Sequence, residues 1–245
     1  MTVADAIIQA RTCSTRLPGK VMLEIEGKSV LSHVCERVSR ARSIKRVILA
    51  LPDTPEDDAL AAHARSLTDY VYRGSETDVL DRYYQAARRF GSTEIFRITS
   101  DCPLIDPEIV DNLHQSFQRA RPDYMSNMIM PGLPRGLDAE LFEFRSLERA
   151  WQEARQPHER EHVTPYIYQN PDLFDIKAHE EPIDRTNWRW TLDTDADFAF
   201  ITAVYEALYK PGQQFGFADI ESLLLQRPDL VEINAHVSQK IDHLI

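Results

Sequence analysis

The sequence predicts an α/β fold built on a mainly parallel, twisted sheet flanked by helices. Short β-branched runs alternate with longer amphipathic segments through the first half of the chain. The first run, 6–8, leads directly into a cation-rich turn, ARTCSTRLPGK at 10–20. With 245 residues, 43% of them hydrophobic, the chain can bury a substantial core within the size range of single α/β domains.

Taken in order, strands are expected over 6–8, 47–51, 70–72 and 95–99, where Ile, Val, Leu and Tyr cluster. Between them, Val30, Leu31, Val34, Cys35 and Val38 recur at helical spacing, and 78–90 repeats the pattern with Val79, Leu80, Tyr83, Ala86, Ala87 and Phe90. A helix is expected over 107–120, with Asp106 as its cap and Pro107 in its first turn, then a strand over 124–128. Residues 129–187 carry many prolines among mixed short elements and read as an excursion from the sheet, because Trp151, Tyr166, Ile167, Phe174 and Ile176 must be buried somewhere. Regular structure returns at 188–192, where alternation would send one of Trp188 and Trp190 inward and the other out, followed by a helix from 195 to about 208.

Composition narrows the function classes. A formal net charge of -11 excludes a general nucleic-acid surface. No apolar stretch approaches the roughly twenty residues of a membrane span, and the N-terminus does not read as a signal peptide, so a cytoplasmic location is expected. Cys13, Cys35 and Cys102 form no CxxC pair, which indicates neither a disulfide framework nor a structural zinc site. Cys102 beside Asp101 lacks the adjacent histidine that thiol catalysis requires.

The cationic turn is a place to hold a polyphosphate; its other reading is a solvated basic loop. It is not the common phosphate loop, which needs glycine where Ser14 stands and Ser or Thr where Val21 stands. Two carboxylate-bearing turns, Ser100-Asp101-Cys102-Pro103 and Leu192-Asp193-Thr194-Asp195, follow apolar runs, and ligands of open α/β sheets bind at the carboxyl ends of strands. Two aspartates and a triphosphate suit Mg²⁺. Asp195 reads better as a helix cap, whereas Asp101 is free for another role because Asp106 caps the next helix.

Six segments then carry a resemblance: IIQARTCSTRLPGKV at 7–21, YRGSETDVLDRYYQAA at 72–87, RITSDCPLIDPEIVD at 97–111, GLDAELFEF at 136–144, HEREHVTPYI at 158–167 and WRWTLDTDADF at 188–198. In order, and over nearly the whole chain, they resemble the cytidylyltransferases of the spore-coat polysaccharide type, relatives of the acylneuraminate and 3-deoxy-manno-octulosonate cytidylyltransferases. The resemblance implies a glycosyltransferase-A-like fold, one nucleotidyltransferase domain over 1–245, and within it an acceptor-binding and dimerisation excursion at 129–187. It implies CTP and a sugar or acidic-sugar acceptor as partners, Mg²⁺ as cofactor and a homodimer. The apolar residues Leu141, Phe142, Phe144, Leu147 and Trp151 are too many for a small excursion to bury alone, in line with that homodimer.

Carried over residue by residue, Arg11, Ser14, Arg16 and Lys20 fall on the triphosphate loop, with Arg11, Arg16 and Lys20 acting catalytically. Ala10, Arg73, Gly74, Ser75, Asp78 and Thr99 complete the nucleotide set. Asp101 and Asp193 fall on the metal-binding aspartates, and Asp138, Glu161 and His162 on the acceptor side. On residue type alone, His162 is also a solvated helix residue and Asp138 a turn former. Cys13 stands where most relatives have glycine, which narrows the backbone's approach to phosphate or forces a different turn. The implied reaction transfers CMP to a sugar with release of pyrophosphate; the competing readings are another nucleotide or a phosphorylated acceptor on the same fold, and a catalytically inactive nucleotide-binding scaffold.

Overall fold

The computed structural model describes residues 3–238. β1 (Ala4–Gln9) is followed by the loop, a small hairpin of β2 (Glu24–Ile25) and β3 (Lys28–Ser29), and α1 (Val30–Ser39). Next come β4 (Ile44–Pro52), α2 (Asp58–Leu67), β5 (Val71–Gly74), α3 (Val79–Phe90), β6 (Glu94–Thr99) and α4 (Pro107–Ala120). The second half holds β7 (Tyr124–Ser126), β8 (Glu140–Glu143), α5 (Phe144–Glu153), α6 (Pro157–His162), α7 (Pro165–Tyr168) and β9 (Ile176–Ala178). It finishes with α8 (Asp195–Leu208), α9 (Phe217–Gln226) and α10 (Pro228–Glu232).

Seven strands form one sheet in the order β5-β4-β1-β6-β8-β7-β9. β8 alone runs against its neighbours β6 and β7, and the other pairings are parallel. Parallel pairing demands crossover helices on the faces, and their caps are local. Ser29 Oγ accepts from Ser32 N at 3.0 Å to start α1, Asp78 accepts from Asp81 N to start α3, and Asp106 accepts from Glu108 N and Ile109 N to start α4.

One sheet face packs Ile8, Leu49, Phe96 and Leu141 against Leu31, Leu60 and Phe117; the other packs Ile7, Ile48, Ile95 and Phe142 against Leu80, Tyr83 and Leu147. A third apolar cluster joins Leu133, Leu137, Trp188, Trp190 and Leu192 to α8, α9 and α10 through Phe200, Tyr205, Leu224 and Leu230. It holds the Asp193 segment against the carboxyl ends of the central strands.

Five expectations are corrected. The 129–187 segment is only partly an excursion, because β8 inserts between β6 and β7 and β9 extends the sheet. For the same reason Leu141, Phe142 and Leu147 are fully buried within one chain, while Phe144 and Trp151 flank Tyr84 in stacked pairs; these residues give no argument for a homodimer. Residues 188–192 form a single bridge, Arg135 to Arg189, rather than a strand. Released from strand alternation, Trp188 and Trp190 both turn inward and stack at 6.1 Å. Asp195 is the first residue of α8, whose cap is Thr194, paired with Asp197 in a reciprocal capping box.

Candidate active site

A cavity of about 490 Å³ opens at the carboxyl ends of β1 and β6, and two clusters of charged side chains line it. The first grows from the loop after β1. Gly19, at φ 68°, takes the left-handed conformation that turns the chain into the short helical segment carrying Lys20. Gly19 N donates to Thr12 O at 3.0 Å, and buried Asp57 pins the loop by accepting from Thr12 N and Oγ1, both at 2.8 Å. Cys13 is not among the residues with positive φ, so its side chain brings no backbone strain to the turn.

Lys20 Nζ donates to Asp101 Oδ2 at 2.8 Å, to Asp193 Oδ1 at 2.9 Å and to Leu192 O at 2.8 Å. Those three acceptors satisfy all the ammonium hydrogens. Arg16 Nη2 reaches the same Asp193 Oδ1 at 2.9 Å. Burial pulls the Lys20 pKa down, but the charges and hydrogen bonds of Asp101 and Asp193 outweigh it and raise the pKa above the ordinary lysine value. Asp101 shows the converse: burial pushes its carboxyl up, and the Lys20 charge and hydrogen bond bring it below the usual range.

Asp193 is held from behind. Its Oδ2 accepts from Arg189 Nη2 at 2.8 Å, while Arg189 Nε donates to Asp197 Oδ1 at 2.8 Å. Asn234 Nδ2 bonds both Asp197 Oδ1 at 3.0 Å and Arg189 O at 2.9 Å. Leu192 N donates to Asp101 O at 2.8 Å, tying the two aspartate turns together.

The second cluster rises from the sheet. Arg97 and Glu140 face each other across the β6–β8 register and form an ion pair through Arg97 Nη1. Glu140 Oε1 also accepts from Tyr124 Oη at 2.7 Å and Thr164 Oγ1 at 2.6 Å. Burial lowers the Arg97 pKa, and the Glu140 charge more than restores it. Arg97 Nε, Arg82 Nε and Gln9 Oε1 are buried without hydrogen-bond partners, and all three residues line the cavity. Buried polar atoms are rarely left unpaired, so these are atoms a ligand can satisfy.

Asp138 sits on a built turn. Gly136 (φ 112°) packs where a Cβ would lie 2.5 Å from the Trp190 carbonyl carbon, and Asn127 brackets Asp138 by bonding Leu137 O at 2.8 Å and Ala139 N at 2.9 Å. Burial raises the Asp138 pKa, against the opposing charge of Arg135 at 3.2 Å. Over the cavity, Glu161 and His162 come from α6, followed by buried Val163 at φ 74°. A β-branched residue there is strained, and its turn lets Thr164 N donate to His162 O at 2.9 Å while the Thr164 hydroxyl reaches Glu140.

The structure therefore brings Ala10, Arg11, Ser14, Arg16, Lys20, Thr99, Asp101, Asp138, Glu161, His162 and Asp193 around one cavity. Arg73, Gly74, Ser75 and Asp78 are not on its wall. Arg73 instead ties β5 to the start of α2 through Pro52 O, Thr54 O and Asp58, and Asp78 caps α3 and pairs with Arg160 at 2.6 Å. That segment meets the cavity through Val79 and Arg82. Sequence reasoning also missed Gln9, Arg97, Glu140, Arg189 and Asp197. The available signal was a charged residue in an otherwise apolar strand, as in Ile95-Phe96-Arg97-Ile98 and Ala139-Glu140-Leu141-Phe142.

Among the described residues no three His, Cys, Asp or Glu side chains cluster as a metal cage, and no helix is long and apolar enough to cross a membrane. Comparison with known proteins adds the following. A family model described as cytidylyltransferase matches residues 6–215. The spore coat polysaccharide biosynthesis protein SpsF of Bacillus subtilis is 32% identical over 91% of this chain and 94% of its own length. A 3-deoxy-manno-octulosonate cytidylyltransferase of Geobacter sulfurreducens is 38% identical over 43% of this chain and 42% of its own. Among solved structures, a cytidylyltransferase of Leptospira borgpetersenii superposes with a TM-score of 0.89 at 29% identity, covering 99% of this chain and all of that one.

Proposed function

The chain belongs to the cytidylyltransferase family, and on that premise we propose that this nucleotidyltransferase moves CMP from CTP to a sugar or acidic sugar, releasing pyrophosphate, for surface polysaccharide or glycoconjugate synthesis. The observation that carries the reading is the meeting of Lys20 with Asp101 and Asp193, and of Arg16 with the same Asp193, each pair at 2.8–2.9 Å at the mouth of the loop. The names of SpsF and of the octulosonate enzyme support the polysaccharide and CMP-sugar parts.

In this reading an acceptor oxygen attacks the α-phosphorus in line and pyrophosphate leaves, so the protein's task is positioning and charge stabilisation. Arg11, Arg16 and Lys20 neutralise the leaving pyrophosphate. Asp101 and Asp193 offer the donor set of a hard cation, two carboxylates already converging on one positive centre. They would hold Mg²⁺, with substrate oxygens and water completing its shell. Bound there, the cation would supply Lewis-acid stabilisation of phosphate charge. Arg189 keeps Asp193 aimed, and Asp138, Glu161 and His162 face the acceptor. The residues at 129–187 that line the cavity make up the acceptor subsite of a single domain. A cytoplasmic location, where CTP is held, belongs to the same reading, and a homodimer rests on resemblance alone.

The test is pyrophosphate release with Mg²⁺ and a panel of sugars and sugar acids, offering CTP, UTP, dTTP, ATP and GTP in turn. Release with CTP that depends on an acceptor supports the reading. Release with another nucleotide in preference to CTP sinks it.

A further inference from the structure

The Lys20 ammonium stands where two carboxylates and a carbonyl offer a ready seat for a cation: Asp101 Oδ2, Asp193 Oδ1 and Leu192 O lie 2.8–2.9 Å from it. We infer that in the nucleotide-free enzyme Lys20 is a built-in counter-ion occupying the divalent cation's seat, so that metal binds well only together with the triphosphate that draws Lys20 away. The inference rests on the reading of Asp101 and Asp193 as cation ligands.

Geometry is the first argument. Magnesium binds oxygen at about 2.1 Å, so a cation shared by Asp101 Oδ2 and Asp193 Oδ1 would fill the space that Lys20 Nζ holds now. The ammonium and the metal exclude each other there, by volume and by like charge.

Charge is the second. Asp101, Asp193 and Asp197 are matched by Lys20, Arg16 and Arg189 in one linked network, three carboxylates against three cations. A free dication entering this neutral network brings uncompensated charge. A metal bound to a triphosphate brings its own anion, which also gives Lys20 and Arg16 new partners.

The cations on Asp193 also differ in exposure and in what else holds them: the Lys20 side chain is 13% exposed and, among the described residues, has no partner besides the two aspartates and Leu192 O. Arg189 has a side chain 6% exposed and is fixed by Asp197, itself fully buried. Arg16 has a side chain 37% exposed and is carried on the loop. Arg16 and Lys20 both use Asp193 Oδ1, whereas Arg189 uses Oδ2. Departure of the two loop cations therefore opens one oxygen and leaves the carboxylate still oriented from behind. Lys20 thus holds the two aspartates in register until substrate arrives, and metal affinity is coupled to nucleotide through one side chain.

The experiment measures Mn²⁺ binding, independently of turnover. Free Mn²⁺ is followed by electron paramagnetic resonance in titrations of nucleotide-free wild type and Lys20→Met, and water-proton relaxation enhancement reads protein-bound Mn²⁺ when CTP is added. Nucleotide-free wild type should bind Mn²⁺ at least about tenfold more weakly than Lys20→Met. CTP should raise the wild-type affinity by a similar factor. Lys20→Gln provides a second variant, and the wild-type comparison with and without CTP stands even if both variants misfold. Equal nucleotide-free affinities in wild type and folded variant, tight or weak, would overturn the inference, as would a wild-type affinity that CTP does not change. Mn²⁺ binding absent from every state, CTP included, would overturn the assignment of the aspartates as well.

Discussion

Two charged clusters face one cavity, and they are built on opposite principles. In the loop cluster Lys20 and Arg16 share Asp193 at 2.9 Å and come from a surface turn; their partners are ones a ligand can take over. In the sheet cluster Arg97 comes from the middle of β6 and Glu140 from the start of the adjacent β8, and Tyr124 and Thr164 complete the carboxylate's shell. Its charges are fixed, and what it offers a ligand is the donor left over at Arg97 Nε. Exchangeable pairs suit a highly charged substrate that replaces internal partners, whereas a locked pair presents a shaped surface with few free hydrogen bonds.

The largest expected effect tests the locked pair. Glu140→Leu leaves Arg97 buried without a counter-charge and should destabilise the fold by about 3–5 kcal/mol, read as a lower urea midpoint. Adding Arg97→Met to it should recover most of the loss; no recovery would mean that the two clusters do not differ as described. Next is Asp101→Asn, which keeps the near-native circular dichroism but should cut metal-dependent pyrophosphate release by about a hundredfold or more. Full activity at saturating metal would remove Asp101 from the ligand set.

Smaller effects sharpen the contrast. Arg189→Lys keeps a charge but cannot bond Asp193 and Asp197 together in a fork, so turnover should fall about tenfold, a factor that corresponds to roughly 1.4 kcal/mol. The CTP KM should change much less. Thr164→Val removes one hydrogen bond to a carboxylate and should cost about 1.5–3 kcal/mol of stability. Away from both clusters, Asp111 caps Ser43, and its carboxyl lies below the ordinary aspartate value because the Ser43 and Arg42 hydrogen bonds outweigh burial. The folded pKa being the lower one, its contribution is present above the unfolded value and fades as pH falls through the folded value. Asp111→Asn should flatten that acid limb in thermal melts and leave pyrophosphate release unchanged.

The same contrast explains what could be read in the chain. The parallel half of the sheet and α1, α3, α4 and α8 follow from apolar spacing and local caps such as Asp106, because each is specified by neighbours in sequence. The loop cluster was legible because Arg16, Lys20, Asp101 and Asp193 stand in turns directly after apolar runs. The sheet cluster depends on β8 entering the sheet between β6 and β7; a charge inside an apolar run marks Arg97 and Glu140 singly, but no local pattern announces that they pair. Arg73 shows the limit of a segment match: its guanidinium bonds Pro52, Thr54 and Asp58, contacts that no local pattern around it announces.

The exchangeable cluster is tested most directly by calorimetric titration of CTP and CMP into wild type and Lys20→Ala. The account predicts that the substitution weakens CTP by at least about tenfold and CMP by no more than about twofold, because Lys20 meets the phosphates that CMP lacks. Equal losses for both nucleotides would contradict it, and would place Lys20 away from the leaving pyrophosphate.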